Sequence, residues 1–149
     1  MTLEADISCL RDVPMFRTLP PPRLKLVALM GEKLHFDAGA LIIAEGEKPE
    51  GVFVILRGEL EIAHESRDGL GPRLPLSAGS LIGDVPLLTG KSFVGAVTAK
   101  SAVTALRLPK DLFFELLETI PDFSLALSRD LASRLYRLAN FTLHGEKVH

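Results

Sequence analysis

The sequence has one cysteine, Cys9, no tryptophan and a single tyrosine among its 149 residues. One thiol cannot form an internal disulfide, nor supply the several thiolates of an iron–sulfur cluster or a structural zinc site. A reducing compartment is expected, and the chain is read as cytoplasmic. Long apolar runs are also lacking: nowhere do about 18 apolar residues follow one another, as a membrane-crossing helix requires. The start, MTLEADISCLRDV, has neither the basic opening nor the apolar stretch of a signal peptide. No membrane partner is expected. Charge of one sign is scarce, since a formal net charge of −2 gives no field to attract a phosphate backbone and no segment forms a basic patch. Neither an internal repeat nor a low-complexity tract interrupts the chain.

What is present is the composition of a folded domain, 47% apolar and 24% charged, in a length suited to one core. A single domain over 1–149 is expected. Residues 1–31 read as helices, with Leu10, Val13, Leu24, Leu26, Val27 and Leu29 placed around Pro20, Pro21 and Pro22, since prolines belong at helix starts. From 32 to 108 the pattern becomes about eight short apolar stretches, among them VFVILRG, LEIAH and AVTALRL. Glycines recur between them, at Gly39, Gly46, Gly51, Gly58, Gly69, Gly71, Gly79 and Gly83. Short strands at this spacing predict a sandwich or roll. RDGLGP at 67–72 reads as a hairpin loop. Residues 109–140 return to helix, broken at Pro121, and 141–149 form a polar tail expected to fray.

The segment GSLIGDVPLLTGKSFVGAVTAKS, 79–101, carries the functional expectation. Gly83 and Asp84 open a short helical turn inside the strand region, where free backbone N–H groups can face an anion. The segment resembles the phosphate-binding cassette of the cyclic-nucleotide-binding domain family, which runs F-G-E, a short helix, then P-R-[AST]-A-T-V. Ile82, Gly83 and Asp84 fall on F-G-E and Val85 to Leu88 on the short helix. Ser92, Phe93, Val94, Gly95, Ala96 and Val97 fall on P-R-A-A-T-V. EGEKPEGVFVILRGELEI resembles the family's strand–turn–strand signature, with Phe53 and Ile55 facing inward, and LPKDLFFELLETIP and RDLASRLYRL resemble its two closing helices. The resemblance covers about Ile7 to Leu138. It implies a mainly β fold with flanking helices, a double-stranded β-helix or jelly roll with N-terminal helices and two C-terminal helices, as in sensor domains of the catabolite-activator and Fnr type.

The same resemblance implies a ligand site at Gly83, Asp84, Val85, Lys91, Ser92, Phe93 and Val94. Asp84 would meet the ribose 2′-hydroxyl, and the backbone after Gly83 the cyclic phosphate. Phe93, however, stands where the family's phosphate-binding arginine is expected. A phenyl ring cannot supply the charge-assisted donors of a guanidinium, each worth roughly 1.5–3 kcal/mol. Cyclic AMP or cyclic GMP is therefore expected to bind at least about 10- to 100-fold more weakly. Lys91, two residues earlier, is the one cation that a shifted loop would bring near. Asp84 has a second reading as a helix N-cap.

Other chemistries fit less well. TGKS at 89–92 lacks the glycine that a triphosphate-binding loop requires at position 85, which is Val85. His35, His64, His144 and His149 are scattered rather than paired for a metal. No nucleophile, base and orienting group stand in a recognisable set, so no enzyme and no cofactor are expected, the ligand being a cyclic nucleotide or another small anion. Leu127, Leu131, Leu135 and Leu138 form a stripe on the last helix, with Arg129, Asp130, Arg134 and Arg137 elsewhere around it. The stripe packs on the roll or, as the resemblance implies, pairs with its twin in a homodimer. No recognition helix follows, so this chain alone is not expected to read DNA. Three readings stand: a sensor domain with weak or atypical nucleotide binding and a small-molecule effector, a dimerisation or interaction module without ligand, and the effector domain of a transcription regulator.

Overall fold

In the computed structural model, residues 2–64 and 71–145 are described. Two four-stranded antiparallel sheets face each other. One has the order β1 (Glu32–Phe36), β8 (Val103–Pro109), β3 (Gly51–Arg57), β6 (Leu81–Ile82). The other has the order β2 (Leu41–Ile43), β7 (Ala96–Ala99), β4 (Glu59–Ala63), β5 (Arg73–Ser77). The result is the expected jelly roll with helices before and after it.

The apolar run of β3 is explained by burial on both faces. Side chains alternate along a strand, so Val52, Val54 and Leu56 enter a core shared with the helices, whereas Phe53 and Ile55 point between the sheets with Ile43, Ile82, Phe93 and Val97. On β8 the same alternation sends Leu106 and Leu108 to the helical core and Val103 and Ala105 inward. Arg107 shares their inward parity and lies opposite Phe53 in register. Gly58 makes the β3–β4 turn at φ +104°, where a Cβ would sit 2.4 Å from the Ala102 carbonyl oxygen, so only glycine fits. β4 and β5 pair from Ala63↔Arg73 to Glu59↔Ser77, as a hairpin requires. Most of the loop expected at 67–72 lies outside the described residues.

The outer core is covered by α1 (Leu3–Arg11), a 3-10 turn (Pro14–Thr18), α2 (Pro21–Met30) and α4 (Lys110–Thr119), together with the first turns of α5 (Pro121–His144). Prolines start α2 and α5, as read from the sequence. Three buried rings join these helices: Phe16 meets Phe123 edge-on at 5.5 Å, and Phe113 meets Phe123 at 6.2 Å. Lys33 Nζ lies 2.6 Å from Asp6 Oδ1, fastening α1 to β1. α5 continues past the expected boundary at 140, so residues 141–144 are helical rather than tail. Nothing in Phe141-Thr142-Leu143-His144 breaks a helix, and the first breaker is Gly145, at φ +83°. Among the described residues no helix is long and apolar enough to cross a membrane.

Replacing Phe113 by alanine removes one of these three rings, where Phe113 is 0% exposed. A loss of about 3–5 kcal/mol is expected, to be read from the shift in urea midpoint at constant m-value.

Candidate functional site

Between β6 and β7 the chain forms α3 (Asp84–Thr89), the short helix expected inside the roll. Gly83 is its N-cap at φ +100°, and a Cβ there would approach the Gly51 carbonyl oxygen to 3.0 Å and the Phe93 ring to 3.4 Å. Glycine is therefore required by conformation and by space. Pro86 has no N–H, which leaves Asp84 and Val85 as the only backbone donors among the first three residues of the helix. Gly90, at φ +69°, ends it.

Phe93 belongs to the inner core and is 6% exposed. Its backbone is held on both sides by the β2–β3 turn: Phe93 N donates to the Glu47 carbonyl at 2.9 Å, and Gly46 N donates to the Phe93 carbonyl at 2.9 Å. The ring thus lies against Gly83, at the place that the sequence comparison assigned to a phosphate anchor. Beside it remains a cavity of about 80 Å³ lined by Phe53, Phe93, Gly51, Arg107, Glu47 and Glu50. That volume lies below the roughly 300–1,000 Å³ of common small-molecule sites. Arg107 is the single cation of the lining, and its Nη1 faces Glu32 Oε1 at 3.6 Å; Glu47 and Glu50 are also lining residues, Glu47 Oε1 accepting from Ala44 N at 3.3 Å.

Asp84 is 1% exposed, yet its carboxylate does not cap the helix as its second sequence reading expected, because Gly83 takes the cap position. Asp84 is the first helical residue, and its Oδ2 accepts from Arg134 Nη2 of α5 at 2.5 Å. Arg134 also pairs with Asp130 at 2.8 Å, one helical turn earlier. Burial opposes the charge on Arg134, but the hydrogen bond and attraction from Asp84, joined by Asp130, outweigh it and raise the guanidinium above its ordinary value. A raised basic group contributes its stability fully below the ordinary value and loses it only as pH climbs through the raised one. The arginine side of this pair therefore introduces no pH dependence in the neutral range.

The other expected residues disperse. Val85 and Val94 are exposed at 45% and 84%, Ser92 is half-buried, and Lys91 is exposed in the loop with no place in the cavity lining. The leucine stripe divides in two: Leu127 is 3% exposed in the outer core and Leu131 packs against it, whereas Leu135 and Leu138 are 66% and 62% exposed. Two arginines important to the site were not singled out from the sequence. Arg134 stood only among the polar residues of its helix, where the Asp130–Arg134 spacing of four is the sole local signal. Arg107 is marked only by the alternation of β8.

Asp84→Asn should loosen α5 from α3. One partner stays about one-third exposed, so a cost of about 1–3 kcal/mol is expected, below that of a fully buried pair. A double-mutant cycle of Asp84→Asn with Arg134→Gln, followed by thermal unfolding, measures the coupling.

Comparison with known proteins places this geometry. The family model described as cyclic nucleotide-binding domain matches residues 33–120, from β1 to the end of α4. A lysophospholipase from Chaetomium globosum is 29% identical over 119 residues, covering 78% of this chain and 8% of its own length. A cAMP-dependent protein kinase regulatory subunit from Aspergillus fumigatus is 30% identical over 113 residues, 76% of this chain and 27% of its own. The chain thus spans less than a third of either relative. Among solved structures, the sensor domain of the transcriptional regulator DNR from Pseudomonas aeruginosa superposes with a TM-score of 0.79 at 17% identity, over 93% of both chains. The catabolite activator protein of Thermus thermophilus gives 0.74 at 23% identity, over 87% of this chain and 61% of its own. A variant regulatory subunit of a cAMP-independent protein kinase A from Trypanosoma brucei gives 0.65 at 22% identity, over 85% and 51%. Carrying the roll, the short helix at Gly83 and the first closing helix in one matched span, the chain belongs to the cyclic nucleotide-binding domain family.

Proposed function

We propose that this chain is a single, non-catalytic regulatory domain whose cyclic-nucleotide site is closed by its own side chains. The observation that carries this reading is the buried ring of Phe93, seated against Gly83 where the family places an arginine. Three effects act in the same direction. The guanidinium that would neutralise a cyclic phosphate is absent, the cavity left is about 80 Å³, and the carboxylate suited to a ribose hydroxyl is bonded to Arg134. A nucleotide would have to displace an aromatic side chain and break an ion pair before making its first contact. The Trypanosoma brucei relative offers a parallel: the protein is described as cAMP-independent, and the variant solved with cAMP bound carries a threonine-to-arginine substitution among three changes.

In this reading Gly83, Asp84, Val85, Ser92, Phe93 and Val94 are the remnant of a cassette, and Lys91 is a solvated side chain. Its effector is either a small molecule that tolerates the acidic lining residues Glu47 and Glu50 or none at all. Calorimetric titration with cyclic AMP and cyclic GMP tests the closure. Saturable heat at low-micromolar concentration from either nucleotide would sink it. Phe93→Arg restores the anchor and should raise affinity for cyclic AMP at least about tenfold, the effect of one charge-assisted contact.

The second reading, a dimerisation module, is favoured by the outer half of α5. Leu135, Tyr136, Leu138 and Phe141 are 49–73% exposed there, and apolar side chains on one helix are commonly covered by a symmetric partner. Such a dimer is compatible with the effector half of a transcription regulator, in which ligand or partner binding shifts α5. Leu135→Glu with Leu138→Glu should convert dimers to folded monomers in light scattering after size-exclusion chromatography. Dimers that persist unchanged would remove the outer stripe from the interface.

A further inference from the structure

The helical layer carries a groove of about 250 Å³ between α1, the 3-10 turn and α2, formed by residues outside the cassette. Its floor is apolar: Phe16, Leu19 and Leu24 are 0–5% exposed. Its rim is cationic, with Arg11 and Arg17 exposed and Pro21 beside them. Arg17 is aimed by the backbone, because its Nε donates to the Arg11 carbonyl at 2.7 Å and its Nη2 to the Asp12 carbonyl at 3.4 Å. Neither guanidinium has a carboxylate within ion-pair distance among the described residues. Arg23 and Arg107, by contrast, each have one, and Arg134 has two. Two adjacent charges thus stand unneutralised over an apolar floor.

We propose that this groove is a docking site for an acidic peptide segment of a partner protein, one that bears a bulky apolar side chain between carboxylates. The apolar side chain would sit against Pro21, the aliphatic stems of Arg11 and Arg17 and the accessible edges of Leu19 and Leu24. The flanking carboxylates would pair with Arg11 and Arg17, whose planar forks suit that geometry. Charge complementarity selects the occupant. A lipid surface is recognised by a broad basic face, with clusters of about four to eight cations, whereas exposed Glu4 and Asp12 interrupt the charge on α1. A short concave site with two cations matches a peptide of matching charge.

The groove also bears on the rest of the fold. Phe16, at its floor, meets Phe123 at 5.5 Å, and Phe123 lies in the first turn of α5. A partner seated there would press on the root of the helix that Arg134 holds to α3. The site does not depend on whether the cassette is closed.

The test is fluorescence anisotropy of a fluorescein-labelled hexapeptide, Glu-Asp-Leu-Phe-Asp-Glu, titrated with the full chain. Saturable binding that weakens with salt is expected, and Arg11→Glu or Arg17→Glu should each raise Kd roughly tenfold or more, a factor of ten being about 1.4 kcal/mol. Arg11→Ala, which disturbs no hydrogen bond made by its side chain in the structure, guards against a folding defect and should weaken binding with an unchanged circular dichroism spectrum. The proposal is overturned by the absence of saturable binding up to millimolar chain. It is equally overturned by Arg11 and Arg17 variants that bind as tightly as the unaltered chain, or by equal binding of a peptide with serine in place of leucine and phenylalanine. Phosphatidylserine–phosphatidylcholine vesicles that bind the chain and displace the peptide would make the groove a lipid-surface site, against the proposal.

Discussion

A carboxylate removed from water must meet a cation or strong donors, or else give up its charge. Asp84, at 1% exposure, is in that position where β6 ends and α3 begins. Its partner, Arg134, is 50 residues away on α5. This single requirement ties together the parts of the molecule that sequence treats separately: a strand end, a one-and-a-half-turn helix, and a long closing helix. Asp130 shares the guanidinium, so the arginine serves both ends and is fixed by both. With Asp84 committed in this way, the start of α3 is tied to α5.

The closure of the roll follows from neighbouring constraints of the same kind. Phe93 is inward, with Val94 beside it 84% exposed, because both backbone groups of Phe93 are held by the turn at Gly46 and Glu47. An arginine in that backbone position would direct its charge into the space beside Gly83. A phenylalanine directs a ring there instead, and in an apolar neighbourhood of Ile43, Ile55, Ile82 and Val97 the ring is the stable occupant. Glu47 and Glu50 also line the space beside the ring, and its one cation, Arg107, is partly neutralised by Glu32.

How much of this was legible in the sequence depended on whether the information was local. Short apolar stretches punctuated by glycine gave the strands, and Pro20 to Pro22 and Pro121 gave helix starts, because turn and cap chemistry act within a few residues. Gly83 and Phe93 were legible for the same reason, as departures or agreements within one motif. The Asp84–Arg134 pair was not, since it joins positions that only the packing of α5 brings together. Arg107 was hidden differently: its role depends on which face of β8 is inward, and β8 is apolar on both. The end of α5 was misplaced because polarity in the tail says little about helix continuation when no breaker appears before Gly145.

The long helix gives these contacts their mechanical meaning. Its buried residues, Phe123 and Leu127, lie within the first two turns. At about 1.5 Å per residue, the part beyond Leu127 extends roughly 25 Å from that root. Leu131 gives partial packing, and the ion pair of Arg134 comes about 10 Å past Leu127 by the same rise. Beyond it the side chains that would hold the helix to the body, Leu135 and Leu138, are exposed. A rod fixed at its root and tethered once near its middle moves most at its free end when either attachment changes. The aromatic seat at Phe16 and Phe123 sets the root and Asp84 sets the tether, so a contact made on the helical layer and a change in the cassette converge on the same helix. If the pocket is closed by Phe93 as proposed, the domain keeps the lever through which such a pocket would act.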